Sequence, residues 1–283
     1  MSGWRLSRRQ NTEQGAVAWD RLGDGPALVL VHGTPWSSFV WRQIAPALGT
    51  RWTVYFFDLP GFGMSDKRDG QDVSLAAQGR VLGELLDAWG LVEPVVVAHD
   101  IGGGIALRCS LLHGRSFAAL ALLDPVAISP WGSPFYRLVR EHPDVFEALP
   151  PNLHEALAEA YICSALPTPV APHVLDALID PWRGPDGQAA LYRQIAQGDE
   201  RDTDEFRSQL TALDCPTLIL WGENDPWIPV QRAHELGHHI PHAQLHTIAG
   251  AGHLIQEDAP GEVLGHLLAF LAGADVPEPS RLA

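Results

Sequence analysis

The stretch Val97-Ala98-His99-Asp100-Ile101-Gly102-Gly103 predicts a strand that turns sharply into a helix. The β-forming residues 95–97 lead into the turn, and the small or apolar residues 102–106 lead out of it. A turn of this kind holds the side chain at its apex above the edge of a sheet, where a nucleophile can meet a substrate. The apex residue is Asp100, so the predicted nucleophile is a carboxylate.

A carboxylate at this position favours displacement at a saturated carbon. Its attack on an alkyl carbon forms an ester that an activated water can open, whereas a serine would form an ether that resists hydrolysis. Cleavage of a carbon–halogen bond or of an epoxide C–O bond fits this chemistry. The alternative is that Asp100 only caps the helix that begins near Ile101, because aspartate is a favoured N-cap residue.

Covalent catalysis of this kind needs a base for the second step, and the base needs an acid that orients it. His253 is the candidate base, because it lies in a loop of small residues between a predicted strand and a predicted helix. Asp225, in the turn after the strand-like run 217–221, is the first candidate acid, followed by Glu223 and Asp124. The alternatives are a surface-loop role for His253 and a turn-capping role for Asp124.

Hydrolysis of the ester passes through an oxyanion, which requires aligned N–H donors. We expect one donor to be the backbone N–H of Ile101, directly after the nucleophile. The second is expected from Thr34, in the loop that follows the apolar run 27–31. Pro35 removes a competing donor and stiffens this loop.

These stretches resemble the α/β-hydrolase superfamily and, within it, the branch with an aspartate nucleophile. That branch contains epoxide hydrolases, haloalkane dehalogenases and fluoroacetate-type dehalogenases. The matching stretches are residues 32–35, 58–66, 99–103, 222–225 and 252–253. The resemblance implies the chain order nucleophile, acid and histidine, which Asp100, Asp225 and His253 follow. It also implies that neither a cofactor nor a metal is needed.

Strands and helices alternate along most of the chain, which predicts an α/β fold with a mostly parallel central sheet flanked by helices. Strands are expected near 15–20, 27–31, 52–57, 94–98, 118–123, 216–221 and 243–248, and helices near 38–48, 73–89, 103–113, 231–238 and 260–271. All predicted catalytic residues then fall at the carboxyl ends of strands, where ligands bind in such sheets.

Residues 126–208 interrupt this alternation with many prolines and short helical stretches such as 152–165 and 187–197. We interpret this segment as a helical cap, inserted between two parts of an α/β-hydrolase core at 1–125 and 209–283. A cap covers the nucleophile, excludes water and supplies substrate contacts.

Opening an epoxide requires a proton donor for the leaving oxygen, and in the epoxide hydrolases that this chain resembles the donor is a cap tyrosine. The tripeptide Leu191-Tyr192-Arg193 resembles the Tyr-Arg pair of those caps, so Tyr192 is the first candidate and Tyr136 and Tyr161 are the others. The alternative for each is packing with an exposed hydroxyl.

A departing halide instead requires N–H donors. Haloalkane dehalogenases typically carry tryptophan directly after the nucleophile and fluoroacetate-type enzymes favour arginine, whereas this chain has Ile101. Trp36, Trp131 and Trp182 are the candidate leaving-group residues among the ten tryptophans. The sequence therefore favours an epoxide hydrolase that produces a vicinal diol, with a dehalogenase as the alternative. A non-catalytic small-molecule-binding homologue is the further alternative, since fold alone does not establish activity.

The amino-acid composition limits the classes of partner and the cellular location that are expected for this protein. The 283 residues carry 34 acidic and 19 basic side chains, for a net charge of −15, which argues against nucleic acid as a partner. No stretch predicts a membrane span or a secretory signal, and three scattered cysteines are typical of reduced thiols, so a cytoplasmic location is expected. We expect a hydrophobic small-molecule substrate and leave open a homodimer.

Two further segments are weaker signals. The histidines between 234 and 242 are dense enough to suggest a metal, but they are more typical of a solvated helix face. The Pro-rich tail from Ala272 onward is expected to be disordered.

Overall fold

A single eight-stranded sheet forms the centre of the protein in a computed structural model that describes residues 4–273. The strands are β1 (Arg8–Thr12), β2 (Gly15–Leu22), β3 (Ala27–Val31), β4 (Thr53–Phe57), β5 (Val95–His99), β6 (Ala119–Leu123), β7 (Thr217–Gly222) and β8 (Gln244–Ile248). Their order in the sheet is β1-β2-β4-β3-β5-β6-β7-β8. Only the β1–β2 and β2–β4 pairs are antiparallel, which confirms the predicted mostly parallel sheet.

Helices connect the strands. They are α1 (Ala45–Leu48), α2 (Leu75–Ala88), α3 (Ile101–Leu111), α4 (Pro134–Glu141), α5 (Pro143–Glu147), α6 (Pro151–Cys163), α7 (Pro172–Ile179), α8 (Gly184–Ala196), α9 (Arg201–Arg207), α10 (Gln231–His239), α11 (Ile255–Asp258) and α12 (Pro260–Ala272). The helices α4 to α9 all lie between β6 and β7, in the segment predicted to be a cap. We refer to residues 126–208 as the cap segment.

The register of the central strands brings their carboxyl ends to one level. His99 at the end of β5 pairs with Leu123 at the end of β6, and Leu123 pairs with Leu220 of β7. The strand β5 is buried throughout, as expected of a parallel strand covered on both faces. The turns that follow these strands therefore meet at one edge of the sheet, and this edge carries the candidate site.

The glycines after Ile101 let α3 pack directly on the strand ends. A Cβ atom on Gly102 would lie 2.6 Å from the carbonyl oxygen of His32, and one on Gly103 would lie 2.4 Å from Cβ of Pro125. Such contacts are shorter than any that side chains make. The run of small residues thus fixes how closely the helix approaches the loops on both sides of it.

Two local expectations differ from the structure. The strand β1 was not predicted, because its sequence RRQNT is polar and it lies at the sheet edge with largely exposed side chains. The helix expected at 38–48 is instead a 3₁₀ turn at Ser38–Trp41 followed by the short helix α1. Pro46 prevents one continuous helix, because it lacks the N–H and its ring would clash with the preceding turn.

Two sequence expectations concern the ends of the chain and its hydrophobic stretches. Beyond Gly273, the tail predicted to be disordered lies outside the described residues. No helix within residues 4–273 is long and apolar enough to cross a bilayer.

The close approach at Gly102 is testable against a matched helical glycine. Gly102→Ala should destabilise the protein by about 1–3 kcal/mol, because backbone atoms block the new methyl group. Gly265→Ala in α12, where a Cβ meets nothing within 4 Å, should stabilise it by roughly 0.5–1 kcal/mol. Urea unfolding midpoints measure both changes. Equal shifts for the two variants would contradict the packing described for α3.

Candidate active site

Asp100 occupies the sharp turn between β5 and α3. Its backbone has φ 54° and ψ −125°, a conformation that residues other than glycine rarely adopt. The side chain makes no capping hydrogen bond to the helix, so the alternative role as an N-cap residue does not hold. The residue is 3% exposed, and its carboxylate is held instead by groups from other loops.

The loop after β3 supplies the first of these groups. The backbone N–H of Thr34 donates to Asp100 Oδ2 at 2.6 Å. Gly33 makes this approach feasible, because a Cβ at that position would lie 2.4 Å from the same oxygen. The backbone N–H of Ile101 lies in the first turn of α3, where amides have no partner within the helix. Of the two predicted donors, Thr34 hydrogen-bonds to the carboxylate, and Ile101 directly follows Asp100 in the chain.

His253 lies between two carboxylates. Its Nδ1 is 2.8 Å from Asp225 Oδ2, and its Nε2 is 3.4 Å from Asp100 Oδ1. Asp225 is itself fixed, because its Oδ1 accepts hydrogen bonds from the backbone N–H groups of Trp227 and Ile228 at 2.7 and 2.9 Å. Nε2 has no hydrogen-bond partner among residues 4–273. The structure thus brings together the three residues predicted as a triad, and their catalytic roles remain predictions.

The other two candidate acids lie elsewhere. Glu223 accepts from the hydroxyl of Thr247 at 2.8 Å, on the exposed side of the turn. Asp124 is fully buried after β6, has φ 40°, and accepts from the N–H of Gly222 through Oδ1. Its Oδ2 has no partner among the described residues. Of the three acids, only Asp225 hydrogen-bonds to His253.

The two carboxylates control the charge of His253. Burial alone lowers the pKa of an imidazole, but the negative charges of Asp225 and Asp100 outweigh it and raise the pKa of His253 well above its usual value. Burial and the nearby charge of His253 lower the pKa of His99 to about 3. Burial and the charge of Asp225 raise the pKa of Asp124 well above its usual range. The two carboxylates thus favour the charged form of His253, whereas burial favours the neutral forms of His99 and Asp124.

A narrow cavity lies above Asp100. Residues from the nucleophile turn, the Thr34 loop, the cap segment and the loop after Asp225 line it. They are Thr34, Asp100, Ile101, Val126, Trp131, Gly132, Ser133, Tyr136, Tyr161, Trp227 and Ile228. The cavity volume open to a water molecule is about 20 Å³, roughly the space of one water. The space above Asp100 is therefore narrow, with room for about one water.

Two of the three cap tyrosines line this cavity. Burial and then the charge of Asp100 raise the pKa of Tyr136, and burial, Tyr136 and Asp100 raise that of Tyr161. Both phenols are thus close enough to Asp100 for its charge to affect their pKa values. Neither phenol forms a hydrogen bond within residues 4–273. Tyr192 does not line the cavity; its hydroxyl lies 2.8 Å from Nδ1 of His154, and burial alone raises its pKa to about 12.

The indole N–H groups of the candidate tryptophans are mostly engaged. Trp131 lines the cavity but donates to the hydroxyl of Thr203 at 3.0 Å. Trp182 donates to the carbonyl oxygen of Pro35 at 2.7 Å and does not line the cavity. Trp36 is buried and also lies outside the lining; its ring stacks on Trp227 with centroids 5.8 Å apart.

Sequence reasoning missed two residues of the site. Trp227 lies with its ring centroid 4.9 Å from that of His253 and stacks on Tyr161 at 4.5 Å. Its position two residues after Asp225 is a signal that could have found it. Gln194 reaches from α8 to the hydroxyl of Thr34 at 2.7 Å, and no pattern in the sequence marks it. Across residues 4–273 there is no cluster of histidine, cysteine and acidic side chains that could hold a metal ion.

Comparison with known proteins agrees with this architecture. The family model described as alpha/beta hydrolase fold matches residues 26–260. A crystal structure of an alpha/beta hydrolase fold protein from Burkholderia ambifaria is 46% identical and superposes with a TM-score of 0.90, covering 94% of this chain and 98% of that one.

More distant relatives include enzymes of several kinds. Haloalkane dehalogenase 2 from Mycobacterium bovis is 26% identical over 93% of each chain. The structure of the epoxide hydrolase CorEH is 20% identical with a TM-score of 0.74, over 94% of this chain and 98% of that one, which shows a shared fold. Esterases also occur among the matches. The family match covers most of the chain, and the protein belongs to the alpha/beta hydrolase fold family.

Proposed function

We propose that the protein is an epoxide hydrolase that uses Asp100 as its nucleophile and releases a vicinal diol. The observation that carries this proposal is that Tyr136 and Tyr161 both line the same narrow cavity as Asp100. An epoxide oxygen that leaves during ring opening needs a proton donor on the side opposite the attacking carboxylate. Two phenols that have no hydrogen-bond partner among residues 4–273 could supply such donors.

In the first step, Asp100 Oδ1 attacks an epoxide carbon while Oδ2 stays on the N–H of Thr34. The C–O bond of the ring breaks, and its oxygen takes a proton from Tyr136 or Tyr161. The His253 imidazolium then restores the proton of the phenol. The products of this step are an ester on Asp100 and a neutral His253.

This transfer is favourable because the ester changes the charge of the site. Once Asp100 is alkylated, one of the two carboxylates that raise the pKa of His253 is gone. The imidazole then gives up its proton more readily and is ready to act as a base. The same residue therefore serves as a proton source before ester formation and as a proton acceptor after it.

In the second step, neutral His253 takes a proton from water, and the hydroxide adds to the ester carbon. The negative charge develops on Oδ2, where the N–H of Thr34 already points. Collapse of the intermediate expels the alkoxide, which takes the proton of the new carboxylic acid. The net reaction consumes one epoxide and one water, and one water oxygen remains on Asp100.

Dehalogenation is the second candidate, supported by the haloalkane dehalogenase relative. Two tryptophans line the cavity, and their indole N–H groups are already hydrogen-bonded, which argues against dehalogenation. Trp131 donates to Thr203, and Trp227 donates to the hydroxyl of Ser164 at 3.0 Å. A halide ion in this cavity would therefore lack the indole donors that such enzymes use. The lining of aromatic and aliphatic side chains favours a hydrophobic substrate in either case.

Trapping the ester tests the function. His253→Ala, mixed with a panel of terminal and aryl epoxides, should accumulate a covalent adduct on the Asp100 peptide that carries the whole epoxide mass. The wild-type protein in H₂¹⁸O should place one ¹⁸O atom in Asp100 during a single turnover. Mass spectrometry follows both. An adduct that lacks halogen, with halide release from haloalkanes, would identify a dehalogenase, and no adduct from either panel would exclude the proposed nucleophile for those substrates.

Removing the phenols tests the proton donors. Tyr136→Phe and Tyr161→Phe should each slow epoxide ring opening by roughly 10- to 100-fold, because the leaving oxygen loses a general acid. Tyr192→Phe is the matched control, since its hydroxyl pairs with His154 outside the cavity, and it should keep the wild-type rate. Stopped-flow single-turnover rates distinguish the three variants. Full activity of a double Tyr136→Phe and Tyr161→Phe variant would contradict the assignment.

Asp100→Asn mimics the charge lost on ester formation and should lower the pKa of His253. Because the folded-state pKa is raised, the stabilisation from protonation is present below the unfolded pKa and is lost as pH rises through the folded one. In Asp100→Asn the stabilisation from protonated His253 should therefore be lost at a lower pH than in the wild-type protein. Titration of the imidazole by NMR measures the change, with Asp214→Asn on the surface as the control of equal net charge. An unchanged His253 titration in Asp100→Asn would refute the electrostatic account.

A further inference from the structure

The cap segment holds the loop that supplies the Thr34 donor. The hydroxyl of Thr34 donates to Oε1 of Gln194, on α8, at 2.7 Å. Both side chains are buried, at 4% exposure each. The Nε2 of Gln194 has no partner among residues 4–273, so the bond to Thr34 is the hydrogen bond that fixes this buried amide.

A second cap residue holds the next position of the same loop. The indole of Trp182 donates to the carbonyl oxygen of Pro35 at 2.7 Å, and Trp182 is fully buried. Two consecutive loop residues are thus tied to two different cap elements. Within the loop itself, the backbone N–H of Trp36 donates to the carbonyl oxygen of Gly33 at 3.0 Å.

We propose that Gln194 is a positioning residue for the reaction: it holds Thr34 so that the backbone N–H of Thr34 stays on Asp100 Oδ2. This inference rests on the proposed function of Asp100 as nucleophile. Gln194 acts through Thr34. The alignment of the Thr34 N–H therefore depends on where the cap segment lies relative to this loop. With the cap segment displaced, Thr34 loses the hydrogen bond that holds its N–H on Asp100.

The physical basis is that few covalent bonds separate the hydroxyl of Thr34, which binds Gln194, from its N–H, which binds Asp100. The hydroxyl and the N–H of Thr34 belong to one residue, so the hydroxyl bond restricts the rotation that would turn the N–H away from Asp100. A buried hydrogen bond of this kind contributes about 0.5–1.5 kcal/mol, which corresponds to roughly a 2- to 12-fold change in an equilibrium or rate. Its loss should therefore appear as a modest and specific decrease in the rate of ester formation.

Gln197 provides a matched control. It is also a glutamine at the end of α8, and it also joins the cap segment to the core. Its Oε1 accepts from the N–H of Val73 at 2.7 Å and its Nε2 donates to the carbonyl oxygen of Gln71 at 2.9 Å. It does not touch the Thr34 loop, so Gln197→Met removes cap–core hydrogen bonds and leaves the donor alone.

The experiment compares Gln194→Met, Thr34→Val, the double variant and Gln197→Met. Single-turnover ester formation on Asp100 should slow by about 3- to 10-fold in each of the first two, and the double variant should be no slower than either, because both remove one hydrogen bond. Gln197→Met should keep the wild-type rate. Additive losses in the double variant, or equal losses in the two glutamine variants, would overturn the proposal.

Amide hydrogen exchange gives a readout that does not depend on turnover. Exchange at the Thr34 amide, followed by NMR, should be faster by about 3- to 10-fold in Gln194→Met than in Gln197→Met, with core amides unchanged in both. If wild-type protein forms no ester, the proposed function fails, and the exchange comparison still tests Gln194. Identical Thr34 exchange in the two variants would overturn the positioning role.

Discussion

The strained backbone at Asp100 is the constraint on which the site depends. A residue other than glycine with φ 54° costs of the order of 1–3 kcal/mol, and such a conformation persists only where the surroundings enforce it. Here β5, the glycines that open α3 and the Thr34 loop enforce it together. The strain places the carboxylate at the common edge of the strands, where the N–H of Thr34 and the imidazole of His253 meet it. A relaxed turn would move the side chain away, so that the N–H of Thr34 would lose its acceptor and His253 would keep only Asp225.

Charge balance in this closed space follows from that placement. Two ionised carboxylates beside each other would repel, and an imidazolium between them offsets this repulsion. Burial and the charge of Asp225 raise the pKa of the third carboxyl group nearby, on Asp124, which favours its neutral form. The site thus places three acids and two histidines close together, and the charge of one shifts the pKa of its neighbours.

The sheet and the proximity of Asp100, Asp225 and His253 could be predicted from the sequence because their signals are local. A fully buried apolar run, a turn and a run of glycines identify the position of Asp100, and the loops of Asp225 and His253 show similar patterns. The cap segment was different. Tyr192 has a sequence context that resembles a proton donor, but the packing of α6 against α8 directs its hydroxyl to His154. The bond from Gln194 to Thr34 joins residues 160 positions apart, and neither composition nor periodicity can indicate such a contact.

The cap segment also reaches the histidine, since the carbonyl oxygen of Ala165 accepts the backbone N–H of His253 at 3.0 Å. The cap residues that line or adjoin this narrow space thus lie in the same segment that holds the Thr34 loop and His253. Access to the cavity and the alignment of Thr34 and His253 therefore both depend on the position of the cap segment. In such a system a compound is selected partly by its ability to restore the closed form after entry, as in induced fit. A molecule that is too small to support the cap segment, or too large to let it seat, would leave the Thr34 loop and His253 without these contacts.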